Sequence, residues 1–184
     1  SADETLEELE KELRRVVDEV RRTNEEANKR LREVLRKLEK KNDDVLRDLE
    51  RVLKELEDRG VPEEVVRRLR KIVEDLKREH EKLIKKLREE IKRIIDDSRR
   101  HIRDVERILE KIRKELKDIR DKGVSEETIK KLREDVKREL DRIKTSSKKL
   151  VDDIERRLRR MEEESRKLAE DSRRILEEMR KEVT

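Results

Sequence analysis

The chain has 184 residues, of which 59% are charged and 30% apolar, with no aromatic residue, no cysteine, two glycines and one proline; its net charge of +5 is the small difference between 57 basic and 52 acidic side chains. This composition excludes a disulfide framework and thiol chemistry. It offers no aromatic platform for nucleic-acid bases, and no apolar run has the length of a membrane span or the form of a signal peptide.

The first predicted helix covers 3–59. Its apolar residues step by threes and fours from Leu13 through Val17, Val20, Ala27, Leu31, Val34 and Leu38, then from Val45 through Leu49 and Val52 to Leu56. That spacing is a heptad seam. Asn24 and Asn42 occupy seam positions, with Thr23 beside the first. The stretch EDRGVPEEVV then breaks the pattern. Gly60 suits the left-handed position that ends a helix, and Val61 suits the apolar contact beside that cap. Pro62 fits a first helical turn, where its missing N–H is no loss, and Glu63 and Glu64 favour the positive end of the helix dipole.

The second predicted helix covers 62–122, with a seam running from Val66 to Ile112 in which His80, Ser98 and His101 replace aliphatic residues. The link RDKGVSEETI nearly copies the first, with Gly123 as terminator, Val124 after it and Ser125 as N-cap. The third helix covers 125–183; Ser147, Ser165 and Ser172 stand in its seam, with Thr145 and Ser146 adjacent. Each helix is on the order of 85–90 Å long at ~1.5 Å per residue. Links this short make consecutive helices antiparallel. The expected fold is therefore all-α: one up-down-up three-helix bundle of coiled-coil type over residues 1–184. Exposed faces mix both charge signs, with i,i+4 pairs such as Glu33–Lys37 and Glu50–Lys54.

In an antiparallel hairpin, residues at equal depth have numbers with a constant sum, about 121 around Gly60 and about 246 around Gly123 for equal helical rise. His80 then predicts neighbours near Asn42 and Ser165. Ser98 predicts Thr23 or Asn24 and Ser147, and His101 lies beside Thr145 and Ser146. Two polar layers are expected, each drawing on all three helices. A closed hydrogen-bond network fixes register better than uniform leucine does. Ser172 falls near Glu74 and Asp48 by the same sum and reads as bonding to its own helix.

Matched helix lengths, the reused links GVPEE and GVSEE, the Glu/Lys/Arg surface, the aromatic-free core and the layered Asn, His, Ser and Thr together resemble de novo designed helical bundles with buried hydrogen-bond networks. The resemblance covers the whole chain. It implies fold and origin and carries no activity with it.

His80 and His101 stand 21 residues apart on one helix, about 30 Å along its axis, so they cannot share a metal. HEKLI begins like a zinc-protease motif but ends in Ile84 where the second histidine belongs. Asp97, Ser98 and His101 lack an oxyanion hole and a substrate pocket. No catalytic, cofactor-binding or metal residues are expected, and no nucleic acid, membrane or obligatory partner. The chain is expected to be soluble, untargeted and monomeric, with a homo-oligomer as the alternative. Its expected role is a structural scaffold with no natural biochemical activity, the polar layers setting helix register. The alternative is a pH-responsive or switchable interaction module working through His80 and His101. The third helix, with the fewest apolar residues, would be the easiest to displace.

Overall fold

The computed structural model describes residues 1–183. Three helices account for nearly all of them: α1 (Ala2–Asp58), α2 (Glu63–Lys122) and α3 (Glu126–Val183), packed against one another as a three-helix bundle without strands among the described residues. The boundaries lie within one residue of those expected, because the terminators act as read. Gly60 and Gly123 adopt φ of +77° and +64°, a region that costs other residues about 1–2 kcal/mol. The Gly123 amide donates to the Ile119 carbonyl at 3.1 Å, the Gly60 amide to Glu57 at 3.2 Å. Ser125 caps α3: its Oγ accepts from the Thr128 amide at 3.4 Å. Pro62 stands just ahead of α2, its carbonyl accepting from the Val66 amide at 3.1 Å. The two valines diverge. Val61 packs against buried core, whereas Val124 is 38% exposed.

No Cβ added at either glycine would meet another atom within 4 Å, so only backbone conformation opposes substitution. Gly60→Ala and Gly123→Ala should each lower unfolding free energy by about 1–2 kcal/mol in urea titrations, with an unchanged helical spectrum. An unchanged midpoint would mean the links relax out of the left-handed region.

The residues group into two compact units, each drawing one stretch from every helix. The first comprises 1–29 and 94–155, the second 30–93 and the chain from Arg156 onward. The first unit's core joins Leu6, Leu9, Leu13, Val16 and Val20 of α1 to Val105, Leu109 and Leu116 of α2 and Val136, Leu140 and Ile143 of α3. The second unit's core joins Val45, Leu49, Val52 and Leu56 to Leu69, Val73 and Leu76 and to Leu176 and Met179. The heptad pattern places most of these side chains, but the stripe shifts locally: Val16 is buried where Val17 was expected, and Leu109 where Ile108, 38% exposed, was expected. Full burial of one such aliphatic side chain contributes about 1.5–3 kcal/mol.

Ion pairs lie on the exposed faces. Arg21–Glu106 at 2.7 Å joins α1 to α2 in the first unit, and Arg88–Glu39 at 2.9 Å does so in the second. Exposed pairs of this kind add at most about 1 kcal/mol each, so they decorate a fold that apolar packing holds. Within helices most pairs are i,i+3, such as Arg51–Asp48 at 3.3 Å. Glu50, expected to pair with Lys54, instead reaches Lys77 across the α1–α2 interface at 3.4 Å.

Candidate functional site: two histidine-centred polar layers

In the second unit, His80 is 2% exposed. Its Nδ1 lies 2.5 Å from Asn42 Oδ1 on α1, and its Nε2 lies 2.7 Å from Ser172 Oγ on α3. The amide oxygen can only accept, so Nδ1 carries the proton and donates. The neutral ring's Nε2 then accepts from the Ser172 hydroxyl. One imidazole thereby ties three helices together, with both nitrogens satisfied.

Ser165 is also buried, at 9% exposed, but it is not His80's partner. Ser172 holds that place, and the reading of Ser172 as bonded to its own helix is corrected. The reason is geometric. A helical side chain leans toward its own N-terminus and covers the surface about one position before its Cα. Antiparallel partners therefore meet at numbers adding up to more than the backbone symmetry gives. His80 and Ser172 add up to 252, His101 and Ser147 to 248, both above 246. A lean of about one position on each helix accounts for the 248 of His101 and Ser147 but not for the 252 of His80 and Ser172; Ser165 and Ser172 are one heptad apart on the same seam, and the constant sum does not select between them.

In the first unit, half-buried His101 has its Nε2 2.9 Å from Ser147 Oγ. Thr145 and Ser146, expected at its level, are exposed. Thr23 donates from Oγ1 to the Glu19 carbonyl of its own helix at 2.6 Å and takes no part in a layer. Asn24 and Ser98 are both fully buried, as expected from their seam positions, and Ser147 is 5% exposed. Yet Asn24 Nδ2 and Oδ1, Ser98 Oγ and Asn28 Oδ1 are buried with no hydrogen-bond partner. The closed network expected around Asn24, Ser98 and Ser147 does not form. Axes of packed helices are about 8–10 Å apart. An imidazole spans that gap and a serine does not; His101, the long side chain here, turns to Ser147. Asn28 escaped the sequence reading because it sits beside Ala27 rather than on the strict seam. Its i,i+4 relation to Asn24 was the available signal.

Burial holds both imidazoles below the usual histidine range of pKa. For His80 desolvation is the cause; for His101 desolvation outweighs an opposing attraction from Asp104. Asp97 is exposed and pairs with Arg100 at 3.8 Å, away from Ser98's buried side. No cluster of three or more His, Cys, Asp or Glu side chains suited to a metal occurs among the described residues, and no helix among them is long and apolar enough to cross a membrane. Beside the His80 layer, α1 and α3 flank a cavity of about 930 Å³ that reaches Asn42, Ser165 and the His80 ring. No protein family, curated protein or solved structure matches the chain.

Proposed function

We propose that the chain is a structural scaffold of designed origin, in which the His80 layer sets helix register within its unit and no biochemical reaction is performed. The observation that carries this reading is the pair of bonds from one buried imidazole to Asn42 and Ser172 on two other helices. A one-residue slip of either neighbour moves its partner atom by about 1.5 Å along the axis and 100° around it, which breaks the bond and leaves a buried polar group without its partner. The test replaces the layer with apolar residues (Asn42→Leu, His80→Leu, Ser172→Ala). Stability should be retained or rise, as for other buried polar sets replaced by well-packed hydrophobes. Methyl NMR spectra should then show more than one set of resonances. A stable variant with one set of resonances would remove the register role.

We also propose that the scaffold is monomeric. Among the described residues only Ile108 and Val124 are exposed large apolar side chains, each 38% exposed, too little for a self-association surface. Light scattering coupled to chromatography should give the mass of one chain, 22.6 kDa, across a hundredfold concentration range. A dimer or trimer would mean that seam residues face partner chains.

A second reading, a pH-responsive module, has its own support in the burial that lowers the proton affinity of both histidines. Ser172 makes the His80 layer tolerant of the proton. When Nε2 becomes a donor, the hydroxyl can rotate and accept, so desolvation is the remaining cost. Charged side chains lining the cavity beside the ring include Lys41 and Asp44 of α1 and Glu170 and Arg173 of α3. They carry both signs, and none offsets that cost.

A further inference from the structure

The cavity beside His80 has features that register-setting does not use. Its lining runs from Arg30 to Val45 on α1 and from Arg159 to Arg173 on α3, about 20 Å along the two parallel helices at ~1.5 Å per residue. Its volume, about 930 Å³, lies in the range of small-molecule sites. Val34, Leu38 and Val45 of α1 and Ala169 of α3 supply an apolar wall.

The floor is polar. Asn42 and Ser165 are 8% and 9% exposed. Asn42 uses its carbonyl oxygen on His80, which leaves its Nδ2 amide without a protein partner. The Ser165 hydroxyl has none either. Both groups can donate into the cavity they line, and such donors favour an occupant that brings acceptor oxygens. The rim carries Lys37, Lys41 and Arg173 but also Glu33, Asp44 and Glu162. Net charge therefore does not choose the occupant; the donor floor and the apolar wall do. A second copy of this chain is a poor occupant, since its described surface offers only Ile108 and Val124 as exposed large apolar groups.

We propose that this cavity binds an unbranched aliphatic monocarboxylate, its carboxylate accepting from Asn42 Nδ2–H and Ser165 O–H and its tail lying along Val34, Leu38, Val45 and Ala169. The assignment goes beyond the scaffold role. A carboxylate held by Asn42, which itself bonds the His80 ring, favours the protonated form of that ring, whereas His101 belongs to the other unit and is untouched.

Dodecanoate, kept below its micelle concentration, is titrated into the full chain and followed by methyl and histidine-ring NMR. The expected result is saturable one-to-one binding, with shifts confined to methyls of Val34, Leu38, Val45 and Ala169. The titration midpoint of His80 should rise while that of His101 stays in place. Dodecanol should bind about tenfold more weakly or worse, because charge-assisted hydrogen bonds are lost. Ser165→Ala, which removes a hydroxyl without a partner and leaves the fold intact, should weaken dodecanoate binding about tenfold. Ala169→Leu should narrow the apolar wall along which the tail lies and weaken binding. Absence of saturation, equal movement of both histidines, equal affinity for dodecanol, or indifference to Ser165→Ala and Ala169→Leu would each overturn the assignment.

Discussion

Asn24→Leu and Asn42→Leu, one substitution made twice on the same helix, are expected to move stability in opposite directions. At Asn42 the change removes the acceptor that Oδ1 offers to His80 Nδ1. The imidazole N–H is then buried beside a methyl group, and an unsatisfied donor of this kind costs about 1–3 kcal/mol. At Asn24 both side-chain polar atoms are already buried without partners. Leucine removes two desolvated polar groups and adds apolar contact, for an expected gain of about 1–3 kcal/mol. The branched shape of leucine follows that of asparagine, so overpacking is a secondary cost. Guanidinium unfolding of both variants beside the parent reads the contrast directly. A gain at both sites would show that the Asn42–His80 bond stabilises nothing. A loss at both would show that Asn24 has partners that satisfy its amide.

The second large effect is a loss of stability in mild acid. Burial lowers the folded-state pKa of His80 and His101 relative to the ordinary value near 6.5. Between the lowered value and 6.5 the unfolded chain binds more protons than the folded one, so stability rises with pH across that window. It is fully present above about pH 6.5, declines as pH falls through the window, and levels off once the folded histidines are charged as well. Each tenfold weakening of proton affinity corresponds to about 1.4 kcal/mol, or about 3–5 °C in Tm for a chain of this size. Melts at pH 7.5 and 5.5 avoid most carboxylate titration. The parent should melt lower at pH 5.5, with His80 contributing more than half-buried His101. In the His80→Asn, His101→Asn double variant the difference should largely vanish. An undiminished difference would place the acid sensitivity elsewhere.

Much of this architecture was legible because a seam of threes and fours, two near-identical links and two glycines leave few alternatives. The helix ends at Asp58 and Lys122 follow directly from Gly60 and Gly123. Burial of Asn24, Asn42, His80, Ser98, Ser147 and Ser165 follows from their seam positions. Pairing was harder to read. Ser165 and Ser172 share a face one heptad apart, and equal helical rise does not choose between them. Nor does sequence reveal that Ser98 is too short to close a layer that an imidazole closes. Thr23, Thr145 and Ser146 sit next to seam residues, and one step around a helix turned them toward solvent or their own backbone. The division into two units, at 29/30, 93/94 and 155/156, has no break in composition to announce it.

The His80 ring is where these strands meet, and its tautomer is observable. Because Asn42 Oδ1 can only accept, the neutral ring must carry its proton on Nδ1. A long-range proton–nitrogen correlation spectrum at pH 7.5 should show the Nδ1–H form for His80, with a ring proton that exchanges slowly with water. A ring protonated on Nε2, or one averaging between forms in fast exchange with solvent, would contradict a buried imidazole joining Asn42 to Ser172.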